Sequence, residues 1–307
     1  MSNKPRVGVI GAGIAGIACA ATLRDQGISV RVFDKSRGMG GRMATRRVEP
    51  WQWDHGMQYM VGGDPKFQQL LDTLPTWSNA SAEPWYVGEP SQNQLVKNLA
   101  QDIDLSLQTR IVGAILDDHG RWLLKTEDSS LSLPYDAIAI ATPAPQAREL
   151  LPQSSLTDEL GRVAMTPCWA LMVASLKQVE LPATIESPHE HIAWFAADHS
   201  KPGRPQGHGQ YVLHATENWS ERHLEDSSDT AKALLLECFQ EIVGGIDVSY
   251  AAAHRWRYAF TRAPLEKTCL IDSRSRLGVC GDWCLGSRVE HGFLSGVALG
   301  KAMASCL

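Results

Sequence analysis

Three glycines near the start of the chain have the spacing with which a backbone turn holds a dinucleotide phosphate. Gly11, Gly13 and Gly16 follow an apolar run, and Asp34 lies 18 residues beyond Gly16. In such a turn the first glycine permits the bend, the second lets the backbone approach a pyrophosphate, and the third lets the helix pack on the strand. The helix start supplies N–H groups, and the acid suits a ribose. The alternative is a glycine-rich turn beside a surface Asp34.

A second glycine-rich turn follows Asp34 and carries positive charge. Residues 37–43 read RGMGGRM, so two adjacent glycines precede Arg42. Their flexibility would let the backbone bend against an anion, and the Arg42 guanidinium could pair with a pyrophosphate. The alternative is a solvated basic loop, because Arg46 and Arg47 follow closely.

The elements that must position these turns can be predicted from apolar patterning. Buried strands are expected at 7–10 and 28–33, with a helix at 14–26 between them. The later pattern predicts short helices at 66–74 and 92–101, buried strands at 136–141 and 277–280, and a final helix over about 290–305. A second sheet is expected from strands at 169–176, 192–196, 210–215 and 250–258, with an amphipathic helix at 229–243 and a Pro/Gly-rich loop at 198–209.

Composition excludes several classes of protein. The chain has 307 residues, with 29 Lys and Arg against 34 Asp and Glu, so it lacks the basic character of a nucleic-acid binder. Its seven cysteines form no C-x-x-C pair, which argues against a disulfide framework or a zinc site and favours reduced thiols in a cytoplasmic protein. Glycines interrupt the apolar run at 7–23, and no other run approaches the ~20 apolar residues of a membrane helix. We expect no metal, nucleic-acid or membrane partner.

The two glycine turns together resemble the amine-oxidase-type FAD flavoproteins, which include monoamine oxidases, phytoene desaturases and protoporphyrinogen oxidases. Three further parts of the chain are similar to segments of that family: residues 53–59 (WDHGMQY), residues 141–143 (Ala-Thr-Pro) and residues 281–296, which begin with Gly-Asp-Trp. The resemblance therefore reaches from end to end of the chain.

The resemblance implies an FAD cofactor and a set of residues that contact it. It also implies non-covalent binding, because the cysteine motif that anchors flavin in many amine oxidases has no counterpart here. The cofactor-binding candidates are Gly11, Ala12, Gly13, Ile14, Ala15, Gly16, Asp34, Lys35, Gly41, Arg42, Met43, His55, Gly56, Met57, Gln58, Val112, Thr142, Gly281, Asp282, Glu290, Gly292, Phe293 and Leu294.

Within that group the chain resembles the renalase family in its short bacterial form, through residues 54–59, 214–220 and 254–259. The implied activity is oxidation of misreduced dihydro-NAD(P), chiefly the 1,2-dihydro isomer. Hydride would pass to flavin N5, NAD(P)+ would be regenerated, and O2 would become H2O2. An amine oxidase or desaturase acting on another small molecule is the alternative.

The substrate site is expected to be aromatic and basic. In the strand at 250–258, Arg255 and Arg257 should share the face opposite Trp256 and Tyr258, where they could meet a dinucleotide's phosphates or form an ion-paired strand face. No catalytic side chain is assigned beyond the flavin, because hydride transfer is cofactor chemistry. The substrate-binding candidates are Tyr59, His214, Arg255, Trp256, Arg257, Tyr258 and Trp283.

The predicted fold class is α/β: a Rossmann-type FAD-binding domain interleaved with a smaller substrate domain built on a mixed or antiparallel sheet with helices. The FAD-binding domain is expected to be discontinuous, and the substrate domain to fill the gaps. The predicted ranges are 1–62, 95–160 and 265–307 for the first domain, and 63–94 and 161–264 for the second.

Overall fold

The computed structural model describes residues 4–77, 83–151 and 154–307. The elements, numbered in chain order, are β1 (Arg6–Ile10), α1 (Ile14–Asp25), β2 (Ser29–Phe33), β3 (Thr45–Val48), β4 (Trp51–Asp54), α2 (Pro65–Leu71), β5 (Thr76–Trp77), β6 (Trp85–Tyr86), α3 (Gln94–Leu99), β7 (Asp104–Ser106), β8 (Ile111–Leu116), β9 (Trp122–Thr126), β10 (Ala137–Ile140), α4 (Ala144–Leu150), α5 (Thr157–Gly161), β11 (Ala164–Ser175), β12 (Thr184–His189), β13 (Ile192–Ala197), β14 (Gly209–Ala215), α6 (Glu217–Arg222), α7 (Ser228–Val243), β15 (Tyr250–Ala263), β16 (Leu270–Asp272), β17 (Leu277–Val279) and α8 (Val289–Ala304). Short 3-10 turns occupy Gly41–Met43, Asp198–Ser200 and Asp282–Cys284.

The chain divides into two compact units, each made of separate segments. Unit 1 comprises residues 1–41, 95–164 and 261–307, and unit 2 comprises 42–94 and 165–260. Residues 42–62 are predicted to belong to the cofactor domain, but they fall in unit 2. The reason is that the hairpin of β3 and β4 packs with the second sheet, where the Trp53 indole donates to the carbonyl of Val173 at 2.9 Å.

Unit 1 is built on a six-stranded sheet in the order β16-β17-β10-β1-β2-β7. β1 pairs in parallel with β2 and β10, and β17 and β7 extend the parallel part on either side. β10 is buried along its whole length, as expected for a strand covered on both faces. This is the predicted Rossmann-type arrangement, in which β1, α1 and β2 form the first crossover, and the predicted fold class is confirmed.

Unit 2 is built on a five-stranded sheet in the order β12-β13-β14-β11-β15. β13 pairs antiparallel with β12 and β14, and β14 pairs antiparallel with β11. Helix α7 packs on this sheet through Leu235 and Phe239, which join a core that includes Trp169, Phe195 and Tyr211. The sequence analysis did not predict β3, β4 or β12, because short strands rich in polar residues carry a weak periodic signal.

A line of three glycines lets the last helix lie directly on the first. A Cβ on Gly296 would stand 2.1 Å from the carbonyl oxygen of Ala15, and one on Gly300 would stand 2.9 Å from that of Cys19. A Cβ on Gly292 would stand 2.8 Å from Ile14 Cγ2. The glycines follow each other at four-residue intervals, so they occupy one face of α8. The starts of α1 and α8 are therefore held at the same end of unit 1.

We predict that Gly296→Ala destabilises the protein by about 1–3 kcal/mol, because the new methyl group would meet a backbone oxygen that cannot rotate away. Urea unfolding would measure the loss. Gly113→Ala is the matched control, since a Cβ there meets nothing within 4 Å. Equal stability of the two variants would contradict the close packing of α8 on α1.

Candidate functional site

The glycines of the two turns predicted from the sequence lie side by side in unit 1. The N–H of Gly40 donates to the carbonyl of Ala12 at 2.9 Å, and Gly13 and Gly40 form a parallel bridge. Gly11 has φ of 108° and Gly41 has φ of 56°, values that residues with side chains seldom adopt. A Cβ on Gly16 would stand 1.9 Å from the carbonyl oxygen of Gly11, so no other residue fits at that position.

Gly13 differs from its neighbours because it faces open space. A Cβ at this position would meet no atom within 4 Å. Gly13 is also the N-cap of α1, and the first turn of the helix carries no acidic residue. Backbone N–H groups and the positive end of the helix dipole are therefore available to an anion. These features fit the phosphates of a dinucleotide such as FAD.

Asp34 lies at the end of β2, as predicted, and its carboxylate holds backbone in place. One oxygen accepts the N–H of Ala12 at 2.8 Å, and the other accepts the N–H of Ser36 at 2.8 Å. The carboxylate remains partly exposed. Its contact with a ribose stays a prediction, and in this structure Asp34 stabilises the first glycine turn.

The C-terminal segment that is predicted to bind the cofactor lies against the start of α8. The N–H of Gly281 donates to Ser295 Oγ at 3.1 Å, which ties the end of β17 to the helix. Asp282 is buried, and its Cβ lies 3.8 Å from the position that a Cβ on Gly292 would take. Asp282 and Gly292 therefore stand next to the start of α1, which Gly292 contacts through Ile14.

Trp283, one of the predicted substrate-binding residues, lies in the interior of unit 1. Its side chain is fully buried within unit 1, and its indole N–H donates to the carbonyl of Thr142 at 3.0 Å. The ring links the loop after β10 to the loop after β17. Its burial and this hydrogen bond indicate that Trp283 packs the interior of unit 1.

The other cofactor candidates lie in different surroundings. Within unit 1, Glu290 and Phe293 are buried, Leu294 is partly buried, and Lys35 and Val112 are exposed. Arg42 and Met57 are joined in unit 2, where the Met57 N–H donates to the carbonyl of Arg42 at 2.9 Å. The structure thus distributes the candidates over both units: the unit 2 group is Arg42, Met43, His55, Gly56, Met57 and Gln58, and the remaining candidates lie in unit 1.

A buried ionic network in unit 2 holds the segment that begins at Asp54. Arg204 donates to Asp54 Oδ2 at 2.5 Å from Nη2 and at 3.1 Å from Nε. Lys201 Nζ lies 2.6 Å from Asp198 Oδ1, 3.6 Å from Asp54 Oδ2, and 3.1 Å from Gln58 Oε1. The side chains of both acids and both bases are completely buried. Two negative and two positive groups therefore balance inside the unit, as buried charges require.

The electrostatic environment shifts the pKa values of the two carboxyl groups in opposite directions. Burial alone would raise the pKa of Asp54, but the charges of Lys201 and Arg204 and the hydrogen bond from Thr45 lower it below its usual value. Burial raises the pKa of Asp198, and the neighbouring Asp54 charge raises it further against the attraction of Lys201. The neighbouring charges therefore favour the ionised form of Asp54 more strongly than that of Asp198.

The burial of Asp198, Lys201 and Arg204 could not be predicted from the sequence, because a loop rich in proline and glycine suggests a solvated connection. The sequence does carry one signal for them: an acid and two bases lie three residues apart in a stretch with few other charges. Only the packing of this loop against Asp54 shows that the charges are buried.

In unit 2 the rings of two histidines and a tryptophan are in contact, and a third histidine reaches the backbone of the first. The His55 ring stacks on Trp256 with 5.0 Å between centroids, and His254 lies edge-on to both at 4.8 and 4.3 Å. The carbonyl of His55 accepts Trp256 Nε1 at 3.0 Å, and His214 Nε2 lies 3.2 Å from it. His214 and Trp256, two of the predicted substrate residues, are thus brought to the segment that contains His55. We call His55, His214, His254 and Trp256 the histidine cluster.

The histidines are held in their neutral form. Burial lowers the pKa of His55 to about 3, and the nearby His254 and Arg46 lower it as well. Burial lowers the pKa of His214 to about 4, and burial together with Arg46 lowers the pKa of His254 to about 4. At neutral pH the cluster therefore presents uncharged imidazoles beside the indole of Trp256.

The two arginines of β15 share one face, as predicted, but that face is ion-paired. Arg257 binds both carboxylate oxygens of Glu225 at 2.7 and 2.9 Å, and Arg255 lies 3.7 Å from the same carboxylate. Arg255 also donates to the carbonyl of Leu224 and lies over the ring of Trp169. Of the two alternatives for this face, these contacts favour ion pairing over phosphate binding, because Glu225 already neutralises Arg255 and Arg257.

Tyr59 and Tyr258 complete the substrate candidates. Tyr59 stacks on Trp85 with 3.9 Å between centroids and 7° between planes, and lies 5.8 Å from Trp194. Tyr258 is partly buried on β15. Tyr59 therefore belongs to an aromatic group separate from the histidine cluster, formed with Trp77, Trp85 and Trp194.

Two features are absent from the described residues: a metal-binding cluster and a membrane-spanning helix. No group of three or more His, Cys, Asp or Glu side chains there could hold a metal ion. Across the same residues, every helix is too short or too polar to cross a membrane.

The parallel sheet and the glycine turns give unit 1 a Rossmann-type fold, the class of fold that binds dinucleotides in many proteins. Residues 9–74 match the family model described as "NAD(P)-binding Rossmann-like domain". Over the whole length, the fold is similar to that of a protein from Exiguobacterium sp. 255-15 described as a protoporphyrinogen oxidase, with a TM-score of 0.75, 13% identity, and 98% and 99% of the two chains covered. It is also similar to cyclohexylamine oxidase from Brevibacterium oxydans IH-35A, with a TM-score of 0.67, 14% identity, and 98% and 99% covered.

The relatives found by sequence are oxidoreductases by name, in agreement with the enzyme class expected from the sequence. An acetone monooxygenase of Gordonia sp. (strain TY-5) is 32% identical over 39% of this chain and 22% of its own length. Protoporphyrinogen oxidase 2 of Arabidopsis thaliana is 36% identical over 22% of this chain and 14% of its own. The chain thus matches less than a quarter of the length of each of these relatives.

We predict that Lys201→Met lowers the free energy of unfolding by about 3–5 kcal/mol, because it leaves the buried Asp198 and Asp54 with one cation between them. Chemical denaturation at pH 7 would measure the loss. Lys267→Met is the matched control: it removes a 2.9 Å pair with Glu159 in which Lys267 is 47% exposed, and should cost far less. Similar losses in the two variants would contradict a buried network.

We also predict a pH dependence of stability from the neutral histidines. The pKa of His214 falls from its ordinary 6.5 to about 4 on folding, so the unfolded chain takes up a proton that the folded one refuses. This contribution is complete above about pH 6.5 and is lost as the pH falls towards 4. His214→Gln should reduce the slope of unfolding free energy against pH by up to about 1.4 kcal/mol per unit in that window. Unfolding curves at half-unit intervals would measure it, and an unchanged slope would contradict the burial of a neutral imidazole.

Proposed function

We propose that the chain is an FAD-dependent oxidase of misreduced dihydro-NAD(P), chiefly the 1,2-dihydro isomer, which regenerates NAD(P)+ and yields H2O2. The observation that carries the cofactor assignment is the pair of adjoining glycine turns, with open space at Gly13. Acidic side chains are absent from the first turn of α1, which makes this helix start suitable for a pyrophosphate.

The residues fit FAD in defined roles. Gly11, Gly13 and Gly41 would let the backbone approach the pyrophosphate, and the N–H groups at the start of α1 would donate to it. Asp34 would receive a ribose hydroxyl, and Asp282 would lie beside the same end of unit 1. When bound, FAD supplies the redox chemistry: it accepts a hydride and passes electrons to O2.

The histidine cluster supports a dihydropyridine as the substrate. The indole of Trp256 and the imidazole of His55 present stacked, uncharged rings, and a planar nicotinamide packs well against such surfaces. A dihydropyridine becomes aromatic when it loses hydride, so the protein needs no base to remove a proton. Binding and orientation are then the chain's own contributions, consistent with the absence of an assigned acid–base residue.

The alternative is oxidation of an amine or a desaturation. It is favoured by the names of proteins with a similar fold, among them cyclohexylamine oxidase and a variant of putrescine oxidase. These similarities are at 12–14% identity, so they concern the fold. We therefore keep this function as the second outcome of the test.

We predict that anaerobic mixing of the FAD-loaded protein with 1,2-dihydro-NAD(P) bleaches the flavin absorbance within seconds, and that air restores it with one H2O2 per substrate. Stopped-flow absorbance and a peroxide assay would measure both. Ordinary 1,4-dihydro-NAD(P) is the matched control and should react far more slowly. Bleaching by putrescine or cyclohexylamine, with none by the dihydro isomers, would establish the alternative, and a chain that binds no FAD would overturn the cofactor assignment.

A further inference from the structure

Arg46 is a cation that the fold places beside the histidine cluster without neutralising it. It lies on β3 opposite Trp53 of β4, next to the pair Thr45 and Asp54 and hence close to His55. Its positive charge acts on both His55 and His254. Within residues 4–77, 83–151 and 154–307, its guanidinium has no hydrogen bond or ion pair.

The other charges near the cluster are already balanced. Asp54, the acid next to His55 in the chain, is held by Arg204 and Lys201. Arg255 and Arg257, on the opposite face of β15, share Glu225. An anion approaching Arg46 would therefore meet one uncompensated positive charge and neutral rings.

A second observation points to a ligand at the same place. His55 is only 6% exposed, and its Nδ1 is buried with no hydrogen-bond partner in the described part of the chain. A buried polar atom without a partner is costly, so proteins seldom leave one unless something else satisfies it. The atom belongs to the ring that stacks on Trp256 and that responds to the charge of Arg46.

We propose that Arg46, together with His55 and His254, forms a subsite for a phosphate group of the dinucleotide substrate. This inference rests on the proposed function, and it gives the substrate's phosphate a place other than Arg255 and Arg257. Arg46 supplies the planar guanidinium that matches phosphate oxygens, and the imidazoles supply N–H donors behind it. Trp256 supplies a flat face for a ring of the same molecule.

The test compares Arg46→Gln with Arg47→Gln in the FAD-loaded protein. Arg47 is the matched control, because it follows Arg46 on the same strand, points to the opposite face, and donates to Ser91 Oγ at 2.8 Å. We expect Arg46→Gln to raise KM for 1,2-dihydro-NAD about 10-fold or more with little change in kcat, as the loss of a charged hydrogen bond predicts. Arg47→Gln should behave as the wild type.

A substrate without phosphate isolates the role of the charge. With 1,2-dihydronicotinamide riboside, Arg46→Gln and the wild type should have the same kcat/KM. Equal losses with the riboside and the dinucleotide, or no loss with either, would overturn the subsite. Release of FAD from Arg46→Gln at concentrations where the wild type retains it would also overturn the proposal, because the phosphate bound by Arg46 would then be that of the cofactor.

A binding measurement separates this proposal from the proposed function. If the wild type oxidises neither dihydro substrate, the proposed function fails, and calorimetric titration of the FAD-loaded protein with inorganic pyrophosphate then decides the subsite. Binding to the wild type and Arg47→Gln that is weakened about 10-fold in Arg46→Gln would support an anion subsite at Arg46. Equal binding to all three proteins, or to none, would overturn it.

Discussion

The close approach of α1 to the backbone around it is the constraint on which unit 1 depends. Gly16 lets the helix begin directly against the carbonyl of Gly11, and Gly296 and Gly300 let α8 lie against the carbonyls of Ala15 and Cys19. A methyl group at any of these positions would overlap backbone atoms, which cannot move aside as a flexible side chain can. Helices α1 and α8 therefore begin at the same end of unit 1.

The same constraint produces the chemistry of that end. Because Gly13 has no side chain, the start of α1 faces open space, and its N–H groups and dipole remain available to an anion. The second turn, at Gly40 and Gly41, lies against the first because neither has a side chain to separate them. The close packing and the proposed phosphate binding thus depend on the same absence of side chains.

In unit 2, buried ion pairs rather than close backbone packing hold an irregular segment of the chain. Residues 54–58 belong mostly to no strand or helix, so the sheet cannot position them through regular hydrogen bonds. Arg204 and Lys201 hold Asp54 and Gln58 from the opposite loop, and the carbonyl of His55 accepts the Trp256 indole. The buried ions cost desolvation energy, which their mutual attraction and hydrogen bonds offset.

The sequence by itself determined the Rossmann-type unit and its glycine turns, because spacing along one short stretch of chain carries that information: strand, turn, helix and Asp34 all lie within residues 6–34. It also determined that His254, Trp256 and Tyr258 alternate with Arg255 and Arg257, since strand geometry follows from parity. Only the tertiary structure decided that Glu225 neutralises those arginines, that Trp283 is buried, and that Asp198, Lys201 and Arg204 meet Asp54. The physical reason is that charge balance and burial depend on residues far apart in the chain, from 32 positions for Arg257 and Glu225 to 150 for Arg204 and Asp54, whose proximity no local pattern records.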